Sequence, residues 1–397
     1  MSEAVLSGMK VLDLTRVLAG PYCSMMLADM GADIIKIEMP KVGDDSRAFM
    51  PQVAGESAYY MNLNRNKKGV TLNLKNPKGR EMFLEMVKSA DVVLENYRPG
   101  TMEKLNLGYD VLKAVNPAIV YGCVSGFGHY GPYSKRPGYD IIGQAMGGLM
   151  STTGWPGGEP TRSGTAIGDV LGGMNLAIGV LAAYIGAKRT GKGQKVDVAL
   201  VDSVVSSLEI INMIYLVAGR LPGRIGNRYE SAYPYDSFKV KDGSIVIGAA
   251  NNKLWGLLCK TMEKPELVDD PRFKENKDRI ANHAELKPII EEWLADKTID
   301  EAVDMILASG CPAAPINTID RVVVDPHIAG ARQMFVEVEH PVAGKMRIAG
   351  NPVKLSEEPF EVRSPAPLLG QDNAEVYGAF FGYGEEELKA LQEEGVL

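Results

Sequence analysis

Cysteine and histidine are scarce in this chain, at four residues each among 397. Cys23, Cys123, Cys259 and Cys311 stand far apart with no C-x-x-C pair, which excludes a disulfide framework and a zinc-finger ligand set. His129, His283, His327 and His340 are scattered, with no H-E-x-x-H, no Ser-His-Asp order and no P-loop nearby, so no metal is expected. Surplus positive charge is also missing: 43 basic residues face 50 acidic ones, for a net charge of −7. That excludes a broad nucleic-acid footprint and leaves any anionic ligand to a local cluster of cations. The opening Met-Ser-Glu-Ala-Val-Leu-Ser-Gly has no basic stretch followed by an apolar one, so a secretory leader is not expected and the protein reads as cytoplasmic. Long apolar runs are absent save one, residues 170–187, uncharged for 18 residues. Gly172, Gly173, Asn175, Gly179 and Gly186 interrupt it and no second such run follows, which favours a closely packed buried helix over a membrane span.

What is present is an α/β pattern in a chain long enough for two or three domains. Strands are expected at Lys10–Leu14, Asp33–Glu38, Val70–Leu74, Asp91–Leu94, Ala118–Ser125 and Lys195–Leu200, with helices at Pro21–Met30 and Lys78–Ser89 between the early ones. This alternation predicts a parallel sheet covered on both faces. Glu38 ends the second strand as a ribose-binding acid does in a dinucleotide fold. The first turn, Thr15-Arg16-Val17-Leu18-Ala19-Gly20-Pro21, lacks the G-x-G-x-x-G glycines, so a dinucleotide dehydrogenase is disfavoured. Two long helices follow, Val170–Lys188 and Asp202–Gly219. Residues 225–325 read as a smaller α+β domain, with a hairpin over Lys241-Asp242-Gly243.

Asp169 stands at or near the start of the first long helix, in Gly168-Asp169-Val170-Leu171-Gly172-Gly173. Unpaired N–H groups and the helix dipole there favour the ionised form. Such a carboxylate is either an N-cap or a nucleophile able to form an acyl anhydride, and this segment alone does not decide. Cations gather in loops expected at strand ends: Arg65, Lys67, Lys68, Lys75, Arg98, Lys104, Lys135 and Arg136. A ligand with several phosphates needs such a group, although each member singly reads as solvated surface charge. Asn96-Tyr97-Arg98-Pro99-Gly100 adds an amide, an aromatic and a guanidinium. Gly126-Phe127-Gly128-His129-Tyr130-Gly131 and Gly138-Tyr139-Asp140 are glycine-rich, suited either to plain turns or to backbone N–H groups aimed at an oxyanion.

Residues 8–21, 31–38, 66–75, 95–100, 125–132, 138–140 and 168–169, taken in order, resemble the class III CoA-transferase (CaiB/BaiF) family, and weaker likeness at 367–371 carries the match to the C-terminus. The resemblance implies a large Rossmann-like domain built from both chain ends (1–224 and 326–397) plus a small domain (225–325), two copies interlocking as rings in a homodimer, and no permanently bound cofactor. It implies CoA thioesters and small carboxylates as substrates, Asp169 as nucleophile, and CoA contacts at Ala19, Leu72, Lys75, Asn96, Arg98, Lys104, Arg136 and Tyr139. α-Methylacyl-CoA racemases share the fold but carry His where this chain has Tyr139, and Tyr is a poor general base near neutral pH. Segments 43–47, 55–60 and 98–105 are most like acetyl-CoA:oxalate CoA-transferases; succinyl-CoA-dependent transferases for malate, citramalate or glutarate are the alternative. Formyl-CoA:oxalate enzymes have Gln at the position of Leu18, Arg at that of Met39, and a glycine run that is missing between Gly219 and Ala250. Arg16 and Arg228 are candidates to pair an acceptor's free carboxylate, and equally candidates for structural ion pairs.

Overall fold

Short apolar strands build the sheet that positions the site in the computed structural model, which describes residues 4–358 and 360–397. β1 (Lys10–Asp13), β2 (Asp33–Glu38), β3 (Lys67–Thr71), β4 (Val92–Glu95), β5 (Val120–Ser125) and β6 (Lys195–Ala199) pair in parallel in the order β3-β2-β1-β4-β5-β6. Side chains alternate between two cores, as the two-residue period of a strand requires. Leu12, Ile35, Val93 and Tyr121 enter one, while Val11, Ile34, Val92 and Val120 enter the other. Helix α1 (Ala19–Asp29) and helix α4 (Ile167–Thr190) cover the second core. Helix α2 (Pro77–Val87) and the C-terminal helices Asn373–Phe381 and Glu385–Glu393 cover the first.

α4 buries Gly168, Gly172, Gly173, Leu176, Ala177, Val180, Ala183 and Ala187, a stripe at three- and four-residue spacing. At Gly173 a Cβ would lie 2.5 Å from the Ala19 carbonyl oxygen, so only glycine lets α1 and α4 approach this closely. By length and composition alone α4 is long enough to cross a membrane, but this stripe packs on α1 and the sheet. Its opposite face leaves Ile178 and Ile185 more than half exposed.

Two expectations shift. The single helix foreseen over Asp202–Gly219 is two, α5 (Leu200–Ser207) and α6 (Ile210–Ala218), bent by 76°. Ser206 and Ser207 turn their hydroxyls back onto the Ser203 and Val204 carbonyls, and Glu209 takes a positive φ of 37°, so the helical hydrogen-bond run breaks without a Gly or Pro to announce it. The strand foreseen from Val70 begins at Lys67, whose side chain points into a buried ion pair instead of a solvated loop.

One compact unit holds the parallel sheet and comprises 1–149, 162–216 and 326–397. The second comprises 150–161 and 217–325, with a three-stranded antiparallel sheet (Tyr235–Val240, Gly243–Gly248, Ala313–Pro315) around Trp255, Phe238 and Phe273. The sequence reading ran the large domain through to 224. Residues 150–161 and 217–224 join the second unit because Gly226 donates to the Gly154 carbonyl and the Arg224 guanidinium reaches the Ser151 carbonyl.

Candidate active site

A cleft of about 380 Å³ opens where the strand order reverses. β2 lies on one side of β1 and β4 on the other, so the loops leaving β1 and β4 diverge there, the usual ligand position in open parallel sheets. Its walls are Arg16–Ala19 after β1, Asn96–Pro99 after β4, Ser125–Gly126 at the end of β5, and Arg136–Tyr139 just ahead of helix α3 (Asp140–Met146); Asp169 in the first turn of α4 also lines it.

The first two walls are tied together. The Asn96 amide accepts from the Arg16 N–H at 2.9 Å and donates to the Arg16 carbonyl at 2.7 Å. Next to it Val17 sits at φ 67°, a costly conformation for a β-branched residue, and its N–H is held at 3.1 Å by Asp44. Asp44 in turn pairs with the buried Lys36 at 2.9 Å and accepts from Ser46. The third and fourth walls meet at Gly126 and Gly138, where a Cβ on Gly126 would lie 2.7 Å from the Gly138 Cα. These glycines are needed for backbone-on-backbone packing.

Asp169 is not a cap. The N-cap residue of α4 is Ala166, which has no capping side chain. The work falls to Asp140 from α3, whose carboxylate accepts from the Gly168 N–H at 2.8 Å and the Asp169 N–H at 3.4 Å and is steadied by Gln144 at 2.7 Å. Among the described residues no donor engages the Asp169 carboxylate. Burial, and then the Asp140 charge, push its carboxyl up to about 7, which overturns the expectation that the helix N-terminus would favour the ionised form. Tyr59 stands close enough to feel that charge: burial first, then Asp169, raise its hydroxyl to about 12.

Of the residues expected to contact CoA, Ala19, Asn96, Arg98, Arg136 and Tyr139 line this cleft with Asp169. Tyr139 and Arg136 are exposed, and the Arg136 guanidinium stacks 3.7 Å from the Tyr133 ring centre. Leu72 is instead a core residue, and Lys75 and Lys104 are exposed outside the cleft. The expected cation group also loses members. Arg65 is buried against Asp29 at 2.7 Å, Lys67 against Asp13 at 3.2 Å, and Lys68 pairs with Glu375. Glu38, which resembled a ribose-binding acid, is buried and pairs with Arg47 at 2.7 Å. Arg16 lines the cleft and pairs with Asp45, both half exposed; Arg228 lies in the second unit. Sequence reasoning missed Asp140, Asp44 and Tyr59. Asp140 carried a readable sign, an acid opening a helix with Gln144 one turn on, but not which helix it would cap.

The family model described as CoA-transferase family III matches residues 6–373. The chain belongs to CoA-transferase family III. The chain is thus a CoA-transferase. It is 38% identical over 393 residues to the succinyl-CoA:glutarate CoA-transferase of Homo sapiens, covering 99% of this chain and 90% of that one. It is 40% identical over 376 residues to the acetyl-CoA:oxalate CoA-transferase of Acetobacter aceti, covering 94% and 95%. The crystal structure of a CaiB/BaiF family protein from Brucella suis superposes with a TM-score of 0.85 at 37% identity, covering 96% of this transferase and 100% of that chain. That likeness extends to the mixed α/β fold with its six-stranded parallel sheet.

Proposed function

We propose that this transferase moves CoA from acetyl-CoA or succinyl-CoA to a small carboxylic acid such as oxalate, with Asp169 as nucleophile. The observation that carries the reading is a carboxylate with no bonded partner among the described residues, in a cleft at the strand-order reversal, with its carboxyl pushed up to about 7. A carboxylate of that basicity is a better nucleophile than a solvated Asp, yet it is still ionised in part near neutral pH.

In the first step an Asp169 oxygen attacks the thioester carbonyl carbon, the C–S bond breaks, and an aspartyl–acyl anhydride forms with free CoA thiolate. The thiolate attacks the aspartyl carbonyl, releasing the donor acid as its carboxylate and leaving an aspartyl–CoA thioester. An oxygen of the acceptor carboxylate then displaces the thiolate to give a second anhydride. The thiolate finally attacks the acceptor's acyl carbon, forming the new thioester and regenerating Asp169. Every step passes through an oxyanion, for which one backbone donor contributes roughly 3–4 kcal/mol. Arg98 and Arg136 supply cations for the CoA phosphates, with Ala19, Asn96 and Tyr139 as further contacts.

The assembly we favour is a homodimer. Ile178 and Ile185 on α4 and Met213 and Leu216 on α6 are apolar and 46–73% exposed, an area that a second copy would cover.

The test is a panel of acyl-CoA donors against carboxylic acids, with the new CoA thioesters identified by mass spectrometry. Oxalyl-CoA from acetyl-CoA plus oxalate is expected. Transfer only to larger dicarboxylates would replace the acceptor and keep the mechanism; Asp169→Ala protein with near-normal turnover would overturn the covalent route.

A further inference from the structure

One cation of the cleft is held by a carboxylate of the protein itself. Among the described residues three arginines line the cleft, and the sheet separates them. Arg98 follows β4 and Arg136 follows β5, on one side of the strand-order reversal. Arg16 follows β1 on the other side, where Asp45 meets it from the short helix Asp45–Ala48 after β2. The transfer chemistry gives Arg98 and Arg136 the CoA phosphates and leaves Arg16 without a task.

The nucleophile stands on the Arg16 side. Asp169 lies one helical turn ahead of Gly173 on the same face of α4, and Gly173 packs on Ala19, three residues after Arg16. Tyr59 feels the charges of Asp169 and of Asp44, the neighbour of Asp45, so the Asp44–Asp45 segment borders the same end of the cleft.

The Arg16–Asp45 pair is made in a way that lets it open. A single guanidinium nitrogen, Nη2, donates to a single Asp45 oxygen, and the other guanidinium nitrogens bond no protein group among the described residues. The two side chains are 48% and 45% exposed, so water screens the pair and little is lost when it parts. A carboxylate presented to the edge of the guanidinium takes two of its nitrogens at once, a better match than this one-point contact. The Arg16 backbone stays in place meanwhile, because Asn96 accepts from its N–H at 2.9 Å and donates to its carbonyl at 2.7 Å.

We propose that Arg16 is a specificity-determining residue that exchanges Asp45 for the free carboxylate of a dicarboxylic acid, so that the transferase selects diacids and their monothioesters over monocarboxylic acids. The inference rests on the reading that Asp169 transfers CoA in this cleft, and it narrows the acid to a chemical class. A diacid activated at one carboxyl keeps a negative charge at the other. Without Arg16 that charge would enter beside Asp169, Asp140 and Asp45, three acids at one end of the site. With Arg16 the second carboxylate is neutralised while the first meets Asp169. Asp45 acts as an internal competitor that occupies the guanidinium until a diacid replaces it. A monocarboxylic acid leaves Arg16 on Asp45 and gains nothing from it.

The experiment measures steady-state transfer from acetyl-CoA, a donor with no second carboxylate, to oxalate, succinate and glutarate. Butyrate and valerate serve as the length-matched monoacids of the last two. Arg16→Met should raise KM for the diacids about tenfold or more and change KM for acetyl-CoA less than about twofold. The succinate-to-butyrate and glutarate-to-valerate ratios of kcat/KM should fall by a similar factor. Arg16→Lys, which keeps the charge without the planar fork, should lie between parent and Met variant. Asp45→Asn removes the competitor and should lower KM for the diacids by about threefold. Equal losses toward a diacid and its matched monoacid, as a merely structural role gives, overturn the proposal. A KM for acetyl-CoA that rises as far as that for the diacid also overturns it, by placing Arg16 on the CoA phosphates. A parent protein that transfers CoA to no acid refutes the transfer reading itself, and this inference with it.

Discussion

The Asp140 carboxylate caps the helix that carries Asp169, accepting from the Gly168 N–H at 2.8 Å and from Asp169's own N–H at 3.4 Å. One acid therefore does the structural work at this helix start and leaves the other free for chemistry. The same proximity brings a second negative charge beside Asp169, which with burial keeps its carboxyl at about 7.

The acid limb of kcat/KM should follow from that value. Only the ionised Asp169 attacks, so activity should fall as pH drops through about 7. Asp140→Asn keeps an acceptor for the Gly168 N–H and removes the charge, so the midpoint should move down by roughly half a unit to one unit. A pH–rate profile with an unmoved midpoint would mean that Asp169 does not feel Asp140.

Stability should run opposite to activity. The Asp169 carboxyl is raised from 3.8 to about 7, so its contribution to stability is fully present below about pH 4 and is lost as pH rises through 7. Asp169→Asn should therefore be more stable than the parent by on the order of 2–4 kcal/mol at pH 8 and no more stable at pH 4. Denaturant melts at the two pH values check this; equal gains at both would contradict it.

Asn96 ties the walls after β1 and β4 through two bonds to the Arg16 backbone. Asn96→Ala should cost about 1–3 kcal/mol of stability and raise KM for acyl-CoA more than it lowers kcat. An unchanged KM would detach the Arg16–Val17 loop from binding.

At Gly173 an added methyl meets the Ala19 carbonyl at 2.5 Å, and Ala19 lines the cleft. Gly173→Ala should force α1 away from α4, lowering stability by about 1–3 kcal/mol and weakening acyl-CoA binding. Thermal melts together with KM test it, and a neutral substitution would show that α1 shifts freely.

Lys67 and Asp13 form a buried pair at 3.2 Å, with Ser24 and Asn64 also bonded to the ammonium. Lys67→Met leaves Asp13 without its cation and should destabilise by about 3–5 kcal/mol. Loss of less than about 1 kcal/mol by urea unfolding would place Lys67 among ordinary surface cations.

The cation reading went astray at Lys67 and Arg65 for a physical reason. A Lys in Asn-Arg-Asn-Lys-Lys-Gly looks the same in sequence whether it meets water or a carboxylate 54 positions away, and Asp13 is that far from Lys67. The kink between α5 and α6 was equally hidden, since serine hydroxyls competing for carbonyls leave no Gly or Pro behind. Asp169, Asn96, Arg98, Arg136 and Tyr139 were legible because ordered short motifs carried them, and they come together in one cleft.

The sequence by itself determined the parallel α/β sheet, the family, and the segment that holds Asp169, because strand period, helix period and local motifs are properties of neighbouring residues. Only the tertiary structure decided what state Asp169 is in. The capping of its helix by Asp140 from another helix, and the Asp140 charge beside it, depend on residues 29 positions apart being brought within hydrogen-bond distance. Electrostatic environment is set by such distances, which no local pattern encodes.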